Sequence, residues 1–146
     1  MNVLVTGANG FIGKNLVVRL NELDINTEAY TRENSAHNFP DLLKKIDFVV
    51  HLAGENRPED EDDFELVNSG LTSLICDEIR LIEKDIPIIL ASSTQAEHDN
   101  LYGKSKLGAE IAIKNLANDT GNSAYTYRLP GVFGKWCKPN YNSVVA

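Results

Sequence analysis

Sulfur, basic charge and long apolar runs are all scarce in this 146-residue sequence, and each scarcity removes a class of protein. The two cysteines, Cys76 and Cys137, form no C-x-x-C pair, and the histidines His37, His51 and His98 are scattered, so no zinc-ligand spacing exists. A chain of this length buries roughly 70% of its unfolded surface, so it needs no disulfide or metal staple. Lysine and arginine total 14 against 21 acidic residues, a net charge of −7. That balance disfavours nucleic acid and anionic membranes as partners but leaves open small anions read by local groups. No apolar run reaches the length of a membrane span, and no basic region precedes a long apolar stretch near Met1. The expectation is a reduced, cytoplasmic protein. With 42% apolar and 24% charged residues, global disorder is excluded.

What is present is an alternation of short apolar runs and helical stripes. Residues 3–5 form an apolar run ended by Thr6-Gly7, which reads as a buried strand. Ile12, Leu16, Leu20 and Leu23 follow helical spacing over residues 11–23. Residues 27–31 predict a second strand, Leu42, Leu43 and Ile46 a short helix, and residues 48–52 a third strand. Phe64, Val67, Leu71, Leu74, Ile75, Ile79 and Ile82 predict one long amphipathic helix. The acidic residues 59–63 just before it suit its N-terminal dipole. Residues 86–90 and 125–129 give two further strands, and Leu107, Ile111 and Leu116 a helix closed by Gly121. This repetition predicts an α/β fold, a Rossmann-type doubly wound parallel sheet with helices on both faces. About fifteen residues separate Arg32 from Phe48, too few for a full crossover with its own strand, so one strand unit is expected to be shortened or missing.

The chemistry concentrates at strand ends. Thr6-Gly7-Ala8-Asn9-Gly10-Phe11-Ile12-Gly13 follows one predicted strand and opens a predicted helix. Gly7 permits a tight turn, Gly10 a close approach to a pyrophosphate, and Gly13 close helix–strand packing, while the helix N-terminus offers free N–H groups to the anion. After the second strand stands Arg32, a cation suited to the 2′-phosphate of NADP, though Glu33 follows it; NAD is the alternative. Tyr102 and Lys106 are four residues apart and share a helix face, where the ammonium is expected to lower the phenol pKa and ready it for proton exchange. Ser92-Ser93-Thr94 ends the preceding strand, where a hydroxyl can hydrogen-bond a substrate carbonyl. His51-Leu52-Ala53-Gly54 and Arg128-Leu129-Pro130 lie at the same edge, outside which ligands of parallel sheets gather. His51 reads as a satisfied core histidine, Cys76 as core, and Cys137 as packing rather than a reactive thiol.

Taken together, TGANGFIG, HLAG, mid-helix Asn68, the serine cluster, Y-x-x-x-K and RLPGVFG resemble the extended short-chain dehydrogenase/reductase family. HLAGENRPE, the short connection from SSTQA to DNLYGKSK, and FGKWCKPNYNSV are similar to the N-terminal reductase domain of CapF-type capsular polysaccharide enzymes. The resemblance implies Tyr102 as general acid, Lys106 as its pKa-lowering partner and ribose holder, and Ser93, or Thr94 one position on, as the hydroxyl that polarises the ketone. It implies that Asn68 supports Lys106 through water. Gly7, Gly10, Phe11 and Ile12, with Gly13, would cradle the pyrophosphate, and Leu52, Ala53 and Gly54 would pass beside the riboses. The implied reaction is NADPH-dependent reduction of a 4-keto UDP-2-acetamido-2,6-dideoxyhexose on the route to N-acetyl-L-fucosamine, in an enzyme implied to be a homodimer. A nucleotide-sugar epimerase and a non-catalytic dinucleotide-binding remnant are the alternatives; Thr94-Gln95 after Ser93 argue against a dehydratase. By the same resemblance, residues 1–134 are expected to form the NAD(P)-binding domain, with residues 135–146 beginning a substrate lobe that is otherwise absent.

Overall fold

A computed structural model describes residues 1–31, 33, 39–55 and 65–137, the side chains of 65–67 excepted. Five strands alternate with helices: β1 Asn2–Thr6, α1 Phe11–Glu22, β2 Asn26–Tyr30, α2 Phe39–Leu43, β3 Phe48–His51, α3 Leu71–Leu81, β4 Ile88–Ser93, α4 Leu101–Thr120 and β5 Ala124–Leu129. All strand pairs are parallel, in the order β2-β1-β3-β4-β5. The chain steps outward from β1 to β2, then recrosses to β3 on the other side of β1. The winding therefore reverses between β1 and β3, and a crevice opens at their carboxyl ends.

Side chains alternate across the sheet, so each strand feeds two cores. Leu4, Val49, Ile88 and Leu90 join Phe39, Leu43, Ile75, Ile79, Ile113 and Leu116 of α2, α3 and α4 in one core. Val3 and Val5 pack with Leu16, Val17 and Leu20 of α1 on the opposite face. Helices thus cover both faces, as the pattern predicts. The expected short unit is also present: the segment between β2 and β3 holds only α2, and β2 is an edge strand. Among the described residues no helix is long and apolar enough to cross a membrane.

Three elements differ from expectation. The predicted strand at 86–90 runs instead over Ile88–Ser93. Pro87 lacks an N–H for the ladder and only accepts, from Val49 N at 2.9 Å. The predicted single long helix is broken into a π-helical turn, Glu65–Gly70, followed by α3. Leu74 faces outward at 39% exposure, while Ile75, Cys76 and Ile79 are buried. In α4 the proposed apolar stripe is turned: Leu107 and Ile111 are 40% and 51% exposed. The buried face is Gly103, Ser105, Lys106, Ala109, Ile113 and Leu116, closed by Gly121 at φ +80°. Arg32, His37, Phe64 and the acidic residues 59–63 lie outside the described residues.

Candidate active site

The glycine loop joins β1 to α1 at the crevice. Gly7 has φ +68°, and a Cβ there would lie 2.7 Å from the Ala53 amide nitrogen, so only glycine lets β1 exit this close to the chain leaving β3. Gly13 also serves close packing, but against the loop itself rather than a strand: a Cβ would collide with the Gly7 carbonyl and Ala8. Gly10 is the N-cap of α1 and supplies no side-chain acceptor, and the first turn has no acidic residue. Among the described residues no side chain caps the amides of Phe11, Ile12 and Gly13, a helix start of the kind that suits an anion.

Across the crevice, β4 delivers Ser93 and α4 delivers Tyr102 and Lys106. Asn100 caps α4, its side chain accepting from Gly103 N at 2.7 Å. Ser93 caps the 3₁₀ turn Thr94–Glu97 by accepting from Gln95 N at 3.2 Å, and its hydroxyl is hydrogen-bonded to Tyr102. Thr94, the alternative hydroxyl, is exposed in that turn. Lys106 Nζ lies 5.7 Å from the centroid of the Tyr102 ring. The expectation that Lys106 lowers the phenol pKa is corrected: burial pushes Tyr102 above the ordinary value, and the Ser93 hydrogen bond offsets this only in part. Lys106 is the perturbed partner. Burial lowers its ammonium to about 8, and no carboxylate pairs with it among the described residues.

Asn68 occupies the π-helical turn, a distortion that recurs at functional sites. Its Oδ1 accepts from Glu55 N at 2.9 Å, and its Nδ2 donates to Glu55 O at 2.9 Å and Ser105 Oγ at 3.0 Å. A Cβ at Gly54 would lie 2.6 Å from Lys106 Nζ and 2.8 Å from Asn68 Oδ1, so both groups converge on one glycine. Leu52 and Ala53 continue β3 into the same crevice, and Leu52 N donates to Thr6 O at 3.3 Å.

A buried chain connects the two halves of the crevice. Thr72 Oγ1 donates to Asn68 O at 2.6 Å, so the His51 Nε2 contact at 2.8 Å requires His51 to be the donor. Nδ1 then accepts from Thr6 Oγ1 at 2.6 Å, and Thr6 in turn accepts from Ala53 N at 3.1 Å. His51 is thus neutral and satisfied; burial, then the Lys106 charge, lowers it to about 3. Sequence reasoning assigned no site role to Thr6, Thr72, Ser105 or Glu110; only Glu110, one helical turn beyond Lys106, carried a readable signal. A cleft of about 680 Å³ lined by Asn2, Asn21, Ile25 and Lys45 lies at the amino ends of β1 and β2, remote from these groups.

An uncapped helix start behind a positive-φ glycine faces a Ser–Tyr–Lys group across a parallel-sheet switch point. This constellation fits a dinucleotide: the amides suit a pyrophosphate, and a buried ammonium beside Gly54, with no carboxylate partner among the described residues, suits ribose hydroxyls. Residues 3–146 match the model of the NAD dependent epimerase/dehydratase family, and the chain belongs to that family. It is 50% identical to a UDP-2-acetamido-2,6-beta-L-arabino-hexul-4-ose reductase of Pseudomonas aeruginosa, over 100% of this chain and 40% of that protein. Among solved structures it is similar to the capsular polysaccharide assembling protein CapF of Staphylococcus aureus, with 44% identity and TM-score 0.84 over 99% of this chain and 40% of that one. MoeE5 in complex with UDP-glucose and NAD is 27% identical with TM-score 0.84, over 97% of this chain and 58% of that one. The chain therefore spans less than half the length of the curated relatives it matches.

Proposed function

We propose that this chain is the cofactor-binding and proton-delivering part of a nucleotide-sugar reductase acting on a 4-keto UDP-2-acetamido-2,6-dideoxyhexose, as on the route to N-acetyl-L-fucosamine. The observation that carries the reading is the hydrogen-bonded Ser93–Tyr102 pair with buried Lys106 one helical turn away. The 50% identity to a hexul-4-ose reductase supports the substrate class.

A bound nicotinamide supplies the hydride. Ser93 donates to the ketone oxygen and polarises it. Tyr102 then gives its proton to the oxygen as charge develops there. Burial holds the phenol above its ordinary value, so Tyr102 carries the proton that this step requires. Lys106 holds the ribose beside Gly54 with Asn68 supporting it, and the Phe11, Ile12 and Gly13 amides hold the pyrophosphate. NADPH is the proposed donor on the strength of Arg32. Residues 1–134 form the cofactor domain in this reading, and residues 135–146 begin the sugar-binding part. A cytoplasmic homodimer is the matching assembly.

The test is a titration of the chain with NADPH and with NADH, followed by nicotinamide fluorescence and thermal stability. Saturable binding with NADPH preferred is expected, and Arg32→Ala should weaken NADPH roughly tenfold while leaving NADH unchanged. Equal losses for both cofactors overturn the NADP assignment. Binding of neither overturns the cofactor site.

A further inference from the structure

Ser92 and Ser93 are neighbours on β4 whose side chains leave opposite faces of the sheet. Ser93 reaches Tyr102. Ser92 is buried on the other face, where its Oγ donates to Glu110 Oε1 at 2.5 Å. Glu110 stands one turn beyond Lys106 and two beyond Tyr102, on the same side of α4. Arg128 of β5 grips its carboxylate with two of its three nitrogens, Nε to Oε1 at 2.9 Å and Nη2 to Oε2 at 2.7 Å. The remaining arm, Nη1, donates to Glu97 at the end of the 3₁₀ turn at 2.7 Å. In the β4–β5 register Arg128 pairs with Ser92, and Leu129 with Ser93.

One carboxylate and one guanidinium thus tie together every element that frames the Ser93–Tyr102 contact. Burial pushes the Glu110 carboxyl up, but hydrogen bonds from Arg128 and Ser92 and the guanidinium charge outweigh it and hold the group below its ordinary value. Ionised, Glu110 accepts from both partners at neutral pH. We infer that Glu110 is a positioning residue: through Ser92, Arg128 and Glu97 it fixes the register of α4 against β4 and so holds Tyr102 within hydrogen-bond reach of Ser93. The inference rests on the roles proposed above for Ser93 and Tyr102.

The test follows the Tyr102 phenol by NMR of the chain labelled at tyrosine Cζ. There are five tyrosines, and Tyr102→Phe assigns the signal. Ser93→Ala removes a hydrogen bond that lowers the phenol, so its titration should rise. Glu110→Ala should raise it similarly, the double variant should rise no further than either single one, and Glu110→Gln, which keeps an acceptor for Ser92, should fall between. Should Glu110→Ala not fold, Ser92→Ala breaks the same link without stranding Arg128 and should also raise the titration. An unmoved Tyr102 titration in a folded Glu110→Ala or Ser92→Ala chain overturns the inference, as do additive shifts in the double variant. The readout is independent of turnover: an undiminished rate in Tyr102→Phe would remove the proposed function and leave this linkage standing.

Discussion

The two helices that point at the crevice begin in opposite ways. Helix α4 begins under Asn100, whose side chain closes its first turn. Helix α1 begins under Gly10, with no side-chain acceptor and no acidic residue in its first turn. An N-cap side chain is worth ~1 kcal/mol over alanine but only a few tenths over glycine, so α1 forgoes little stability by lacking one. The difference separates two uses of a helix start. In α4 the protein satisfies an amide of its own and holds Tyr102 and Lys106, the proposed acid–base residues, in place. In α1 the amides have no side-chain cap and are the proposed anion site.

The largest effect expected from the α4 side is chemical. Tyr102→Phe removes the proposed proton donor and should lower the reduction rate by about 10²–10⁴-fold, measured as NADPH oxidation with the proposed 4-keto sugar nucleotide. Cofactor affinity should stay within a few-fold, because the α1 amides are untouched. A rate unchanged by the variant would sink the assignment of Tyr102.

Much of this division is readable from the sequence because it is local. The glycine spacing, the strand that precedes it and the Y-x-x-x-K interval are short-range features, and they locate both helix starts. What escapes the sequence is set by contacts far along the chain. The π turn at Asn68 sits inside an unbroken apolar pattern, and its cause is tertiary: the Asn68 amide bonds to Glu55 and Ser105. The direction of the Tyr102 shift depends on burial, which the Tyr–Lys interval does not encode. The α4 stripe is misread because its buried face carries Gly103, Ser105 and Lys106, small or functional residues in place of large apolar ones.

The chain that joins the two sides should be visible in acid. The unfolded His51 takes a proton near 6.5, whereas the buried ring resists until about 3. Between those values the unfolded state binds more protons, so stability falls as pH drops. The His51 share of that loss is of order 5 kcal/mol at full development. Denaturant titrations from pH 7 to 3 should show this slope, and His51→Gln should lack it although less stable at pH 7. Parallel slopes in both proteins would mean that His51 is not held neutral by the fold.

The smallest effects sharpen the contrast between the helix starts most directly. Asn100→Ala should cost about 1 kcal/mol of stability and change NADPH affinity less than twofold, since the lost cap serves only α4. Gly10→Ser should do the reverse. A serine hydroxyl can take the amide of Ile12 or Gly13, a gain over glycine of only a few tenths of a kcal/mol. That gain is reduced further because the new Cβ lies 3.1 Å from the Gly7 carbonyl. The same hydroxyl competes with the pyrophosphate, so NADPH and NADH should both bind at least about fivefold more weakly in a protein of nearly unchanged stability. Unchanged affinity in Gly10→Ser would show that the α1 amides are not the anion site, and the missing cap would then be a plain loss of stability with nothing gained in binding.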